Sequence, residues 1–312
     1  MTGPPPRLAA VVLTWNSRAD VGACLEALRV QVRPGDAVLV IDNGSADGTV
    51  DAVRRAHPWV ELVENGANLG YAAGNDAGIR RALDRGFDAV LVLNPDAVPE
   101  PGAVEALLDL FASQPRTGAF QPVLLQRSDP ARADSLGLRP RRTFGGEDAG
   151  RGGPAPAQAA PPSPIFGPCG AAALYRGDAL RAVGLLDEGL HLLEEDLDLA
   201  FRLRMAGWDA LLVPAARVVH GRGVSGAPAD PAAARRRKHW LQRNTVALAL
   251  RYWPAGRLLL GSPLLAWRAL QALALSSSNP GHPCLPLWRR FLAERGASRR
   301  AMAERGLDRW FE

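Results

Sequence analysis

Two acidic groups about a hundred positions apart could do chemistry in this chain. The first is Asn94-Pro95-Asp96, directly after the apolar run at 89–93. The second is Glu194-Glu195-Asp196-Leu197-Asp198, at the head of a helical pattern. A carboxylate at the C-terminal end of a buried strand stands where open α/β sheets bind ligands. The second group, from a distant segment, predicts a two-part site. One part would hold a metal and a charged leaving group, and the other would do proton chemistry. Transfer from a nucleotide-activated donor needs that pairing. First-turn acids favour a helix by ~0.3–1 kcal/mol each, but four within five residues repel one another. A cation or cationic partner is therefore expected beside them. Asp196, at the helix N-terminus, is expected to stay ionised near neutral pH.

Strand and helix signals alternate over the first 125 residues. Apolar runs at 8–14, 37–41, 60–63, 87–93 and 118–125 read as strands, and helical spacing falls at 18–30, 49–56, 71–85 and 101–113. That alternation predicts βαβ units on a mostly parallel sheet. Residues 126–165, rich in Gly, Pro and Arg, read as a long mobile loop. Order resumes with a strand at 171–175, helices at 178–183 and 195–206, and a strand at 210–213 followed by His220. From 232 onward the pattern is helical, with breaks at 254, 263, 279–286 and 296. Two units are expected, 1–228 and a helical region 229–312.

The polar turn Asp42-Asn43-Gly44-Ser45 follows a buried strand and could meet the flat edge of a ligand or merely cap a helix. Gly70, Gly74 and Gly78 recur every fourth residue in a helical pattern, where each costs ~1 kcal/mol relative to Ala. They imply close approach of a ligand or a neighbouring backbone. The pattern is not GxGxxG, and no GxxxxGK[ST] occurs, so a P-loop is excluded.

The chain has 312 residues, 47% hydrophobic and 22% charged, with net charge +5. This is a globular composition. Basic residues gather late, at Arg235-Arg236-Arg237-Lys238, Arg289-Arg290 and Arg299-Arg300, and predict anionic partners. Cys24, Cys169 and Cys284 form neither a CxxC nor a disulfide framework. The first residues lack a signal-peptide pattern, and no run of about 20 apolar residues exists. The expected location is the cytoplasm, with peripheral contact on the inner face of the membrane left open. Trp240, Tyr252, Trp253, Trp267 and Trp288 lie among arginines and apolar runs. This suits an interfacial membrane surface or a packed helical subdomain with a homodimer contact.

Taken in order, Val11–Asn16, Val40–Ser45 with Asp47-Gly48-Thr49, Asn68–Asn75, Leu93–Asp96, Gly170–Ala172, Gly184–Glu188, Glu195–Leu199 and Val213–His220 resemble the family 2 glycosyltransferases. The resemblance is to their inverting, GT-A-fold, rhamnosyltransferase-like branch and covers about residues 8–225. It implies an α/β GT-A fold with a C-terminal helical region. Thr14, Asn16, Asp42 and Asn43 would border the nucleobase and ribose, and Asn68, Gly70 and Asn75 would help hold the nucleotide. Asn94 and Asp96 would occupy the place of the family's DxD motif, with Mg²⁺ or Mn²⁺ bound by Asp96 and His220. Asn94 departs from the first Asp of that motif. Asp196 would be the general base, with Glu195 beside it. Residues 191–194 lack the aromatics usual before the Glu-Asp pair.

The implied donor is a nucleotide sugar, dTDP-rhamnose first and UDP-hexoses next. The implied acceptor is a cell-surface or lipid-linked glycan. A binding protein of the same fold without turnover is the alternative, against which both Asp96 and Asp196 argue. Nucleic acid is not an expected partner, because no reader motif appears.

Overall fold

The computed structural model describes residues 5–222 and 230–311. The boundary expected at 228/229 lies outside the described residues. The chain opens with β1 (Leu8–Thr14), α1 (Val21–Arg29), β2 (Ala37–Asp42), α2 (Thr49–Ala56), β3 (Glu61–Glu64) and α3 (Gly70–Asp84). Next come β4 (Ala89–Leu93), β5 (Ala97–Pro99), α4 (Ala103–Ser113), β6 (Thr117–Gln126) and β7 (Asp129–Ser135). The middle holds β8 (Leu138–Pro140), β9 (Gly146–Asp148), β10 (Ser163–Pro164), β11 (Ala172–Arg176), α5 (Gly177–Val183), α6 (Glu195–Met205) and β12 (Asp209–His220). Four helices close the chain: α7 (Pro231–Tyr252), α8 (Ala255–Leu260), α9 (Ser262–Ala274) and α10 (Cys284–Glu304).

The main sheet runs β10-β12-β6-β11-β4-β1-β2-β3, with β5 on β12 and β7 on β6. β3, β2, β1 and β4 are mutually parallel, as is the β6–β12 pair, while β11 is antiparallel between β4 and β6. β1 is buried on both faces, hence its unbroken apolar run. Leu8, Ala10 and Val12 pack into one core layer, and Ala9, Val11 and Leu13 into the other. A third cluster joins Leu197 and Phe201 of α6 to Tyr252, Trp253 and Phe291 of the C-terminal helices.

The glycines of α3 are a packing device. A Cβ at Gly78 would stand 2.5 Å from Val11 Cγ1 and 2.9 Å from Ile41 Cγ1, and one at Gly74 would stand 2.7 Å from Leu13 Cδ1. Of the two causes open at the sequence level, close approach within the protein explains these two. α7 starts sharply because Asp230 accepts from the Ala232 and Ala233 amides at 3.0 and 3.1 Å, with Pro231 in the first turn.

Three expectations need correction. Residues 126–165 carry strands, with β7 paired to β6 and β8 to β9 in a hairpin, in place of a structureless loop. The Gly and Pro content marks turns between short strands. β12 runs on from 213 to His220 across an irregularity between Val213 and Arg217, which ended the apolar pattern early. Gly296 does not break α10, whose Phe291, Ser298 and Met302 are buried against its neighbours.

Gly78→Ala would gain ~1 kcal/mol of helix propensity but pay about 1–3 kcal/mol for overpacking against β1 and β2. Net destabilisation is expected in urea unfolding; a more stable variant would contradict the packing role.

Candidate active site

The site gathers at the C-terminal ends of β1, β2 and β4, where a doubly covered sheet binds ligands. Thr14 and Asp42 are register partners on adjacent strands, and the Thr14 hydroxyl donates to Asp42 Oδ1 at 3.0 Å. Asp42 Oδ2 accepts from the Gly44 and Ser45 amides at 3.0 and 2.9 Å, and the Ser45 hydroxyl donates to Oδ1 at 2.6 Å. The Asn43 amide nitrogen donates to Gly70 O at 3.0 Å and Asn68 Oδ1 at 3.2 Å, while its oxygen accepts from Asn65 and Leu69. Thr14, Asp42 and Asn43 are buried and engaged within the turn. They shape its backbone. Asn16 and Asn68 are exposed at its rim, as is Trp15.

Asn16 has φ 51°, a left-handed conformation that its amide supports by accepting from the Ala46 N–H at 2.8 Å. Gly70 opens α3 at φ 85°, where any Cβ would strike the His191 ring. Asn75 is fully buried; its nitrogen donates to Tyr71 O at 3.0 Å, and its oxygen has no partner among the described residues.

A second group forms around His220. Antiparallel pairing sets His220 opposite Ala97, directly beyond Asp96. His220 Nε2 lies 3.4 Å from Asp96 Oδ1 and 3.4 Å from the Asn94 side-chain nitrogen, and Nδ1 lies 2.8 Å from Asp134 Oδ2. Burial opposes the imidazolium, but the hydrogen bonds to Asp134 and Asp96 outweigh it and raise the His220 pKa. Burial likewise opposes the Asp134 carboxylate, yet His220 and Arg222 hold it below the usual range. Arg222 bridges Asp134 and Asp148. Arg127 donates to Asp96 O at 3.0 Å. Arg127, Arg151 and Arg222 line a cavity of about 440 Å³ with His220.

Whether these residues fit a divalent cation can be judged from His220. In neutral His220, with Nδ1–H donated to the Asp134 carboxylate, Nε2 turns a lone pair toward the Asp96 carboxylate, an arrangement that a cation satisfies. Nitrogen and carboxylate donors suit Mn²⁺ or Mg²⁺ with phosphate and water completing the shell. Among the described residues no three His, Cys, Asp or Glu side chains are grouped to hold an ion by themselves. Asp96 and His220 would be the protein's share.

The third group is the acidic segment. Asp196 Oδ2 accepts from the Gly170 amide at 3.0 Å and Oδ1 from the Leu197 amide at 2.8 Å. Burial, with the negative charge of Asp148, pushes its pKa up to about 6 against the pull of those amides. Gly170 is required here, because a Cβ would stand 2.8 Å from the Tyr71 hydroxyl and 3.5 Å from Asp196 Oδ2. Glu195 is buried with Oε2 unpartnered, and burial plus Asp196 push its pKa well above the carboxylate range. Of this pair, Asp196 is the more readily ionised.

Glu194 and Asp198 face the C-terminal helices. Glu194 accepts from the Gly146 amide at 3.0 Å and the Thr245 hydroxyl at 3.3 Å; burial, then Asp196, raises it to about 7. Asp198 accepts from Arg202 Nε at 2.7 Å and the Tyr252 hydroxyl at 2.6 Å, with Arg251 at 3.4 Å. The expected cationic partners are Arg202 and Arg251, and both serve Asp198.

His191, Leu193 and Glu194 all have φ between 63° and 72°. The Asn244 side-chain nitrogen holds this strained stretch, 2.8–3.0 Å from the carbonyls of Leu190, Leu192 and Leu193. Trp240 and His282 rings lie 4.7 and 4.2 Å from His191, in the segment that lacks aromatics of its own before Glu195. Asp134, Asp148, Arg222 and Trp240 were not singled out as site residues from sequence. Asp134 and Asp148 sit in the stretch read as a loop, and only strand pairing brings them here.

Known proteins agree with this architecture. Residues 5–242 match the family described as "Glycosyltransferase like family 2". The chain is 33% identical over 232 residues to the N-acetylglucosaminyl-diphospho-decaprenol L-rhamnosyltransferase of Mycobacterium tuberculosis, covering 68% of this chain and 75% of the relative. It is 30% identical to the pre-mycofactocin glycosyltransferase of the same organism, covering 70% of this chain and 44% of that one. GalNAc-T7 with UDP, GalNAc and Mn²⁺ superposes with TM-score 0.64 at 14% identity, over 94% of this chain and 57% of that one. The mannosyltransferase PcManGT of Pyrobaculum calidifontis, with GDP-Man and Mn²⁺, superposes with TM-score 0.53 at 21% identity, over 97% and 88%. These likenesses bear out the GT-A fold. By the profile match and the shared identity, the chain belongs to glycosyltransferase family 2.

Proposed function

We propose that this glycosyltransferase inverts the anomeric centre of a nucleotide sugar in a single displacement onto a hydroxyl of a lipid-linked glycan. The observation that carries the reading is Asp196, a carboxylate held by two amides with its pKa at about 6 beside a Glu195 pushed far higher. Such a group is largely charged at neutral pH yet basic enough to take a proton. The acceptor hydroxyl gives its proton to Asp196 while its oxygen bonds to the anomeric carbon. The bond from that carbon to the phosphate oxygen breaks, and the nucleoside diphosphate leaves from the opposite face.

The nucleotide lies against the turns after β1 and β2, framed by Thr14, Asp42 and Asn43, with Asn16, Asn68, Gly70 and Asn75 nearby. Asp96 and His220, next to Asn94, would hold Mg²⁺ or Mn²⁺, which supplies charge neutralisation at the diphosphate. Arg127, Arg151 and Arg222 add positive charge beside His220. We favour dTDP-rhamnose as the donor; the relative named for L-rhamnosyl transfer supports the sugar, and its name also specifies a diphospho-decaprenol acceptor.

Asp196→Asn should fold normally, bind donor and lose transfer by a factor on the order of 10²–10⁴; near-full turnover would remove the base. Because the base must be deprotonated, kcat/KM should rise with pH and level off above about 6. Removing the neighbouring negative charge in Asp148→Asn should move that limb to lower pH. A limb that stays in place would detach it from Asp196.

A further inference from the structure

The outward side of α8 and α9 has its polarity reversed. Along α9 the exposed positions after Ser262 at its start are 263, 266, 267, 270, 273 and 274, one helical face, and every one of those six is apolar. Its polar side chains turn inward instead: Arg268 and Gln271 are half-buried, and Arg268 donates to Gln242 of α7 at 2.9 Å. α8, which leads directly into α9 and packs on it, adds Leu259 and Leu260, 77% and 81% exposed, to Trp267 at 58% and Leu270 at 61%. A helix packed on a water-soluble core shows the opposite arrangement, and contiguous exposed apolar surface of this kind marks a docking site.

Charge selects the occupant. No Asp or Glu occurs from 231 to 293, while Arg235, Lys238 and Arg289 are exposed in the same stretch; Arg290 beside them is engaged by Asp187. We propose that the α8–α9 face docks on an anionic lipid bilayer, with both helices lying in the headgroup plane and the cations meeting lipid phosphates. A second copy would bring like charges together. No helix among the described residues is long and apolar enough to cross the membrane.

The docked face connects to the reaction through α7. That helix packs on α9 and holds the strained segment before Asp196 through Asn244 and Thr245. The biological use of the docking rests on the lipid-linked acceptor proposed above. The docking itself does not.

The test is flotation of the full chain with phosphatidylglycerol-containing and with pure phosphatidylcholine vesicles, alongside Leu260→Glu/Trp267→Glu/Leu270→Glu. These side chains are exposed, and unchanged circular dichroism and melting would verify the variant's fold. The wild type should bind the anionic vesicles more tightly, and the variant should lose affinity on the order of tenfold or more. Wild type that ignores anionic vesicles, or a variant that binds them equally, overturns the proposal. So does a wild-type dimer that the variant converts to monomer without altering lipid binding. Vesicle binding without transfer to a polyprenyl-diphosphate glycan supports the docking and rejects only the acceptor reading.

Discussion

Asp198 has no solvent exposure, and Arg202, Tyr252 and Arg251 close on its two oxygens. Breaking a buried charged network by removing one partner costs about 3–5 kcal/mol, so this contact ties α6 firmly to α7. Asp196, two residues earlier, is placed by the same helix. On the other side of Asp196, Thr245 and Asn244 of α7 grip Glu194 and the carbonyls of Leu190, Leu192 and Leu193. The C-terminal helices thus position the proposed base as well as covering the core. That explains how a backbone with three non-glycine residues at positive φ persists next to Asp196.

The second constraint is charge. Asp96, Asp134, Asp148, Glu195 and Asp196 belong to one region, and their repulsion is met in different ways. His220 and Arg222 neutralise Asp134, Arg222 also engages Asp148, and Glu195 responds by holding its proton. Asp196 is left with two amides and a nearby Asp148, enough to place its pKa at about 6. Arg222 therefore links the His220 group to the carboxylate that perturbs Asp196. Separate environments for neighbouring carboxyls let one act as a base while another stays protonated.

The parallel half of the fold was legible because β1, β2 and β4 are buried on both faces and appear as unbroken apolar runs. Asn94, Asp96, Glu195, Asp196 and His220 were legible from residue type together with the ordered family motifs. Asp134 and Asp148 were not, because β7 and β9 alternate too briefly and too polarly to read as strands, and their neighbours are distant in sequence. The acidic cluster was legible as a cluster but not as two pairs. Which carboxylates face the C-terminal helices depends on Tyr252, Arg251 and Thr245, some 50 residues downstream. The reversed face of α9 was equally hidden, since its periodicity alone cannot say which side meets the core.

In the proposed nucleotide-sugar site, a cation at Asp96 and His220 would complete the diphosphate end. The most direct measurement is the thermal unfolding midpoint of the wild type with dTDP-rhamnose, in Mn²⁺ and in EDTA. A ligand that binds only the folded state raises that midpoint. Stabilisation by the donor in Mn²⁺ that is lost in EDTA is the expected result. Equal stabilisation in EDTA would contradict the role of Asp96 and His220, and no stabilisation by this or any other nucleotide sugar would contradict the donor site itself.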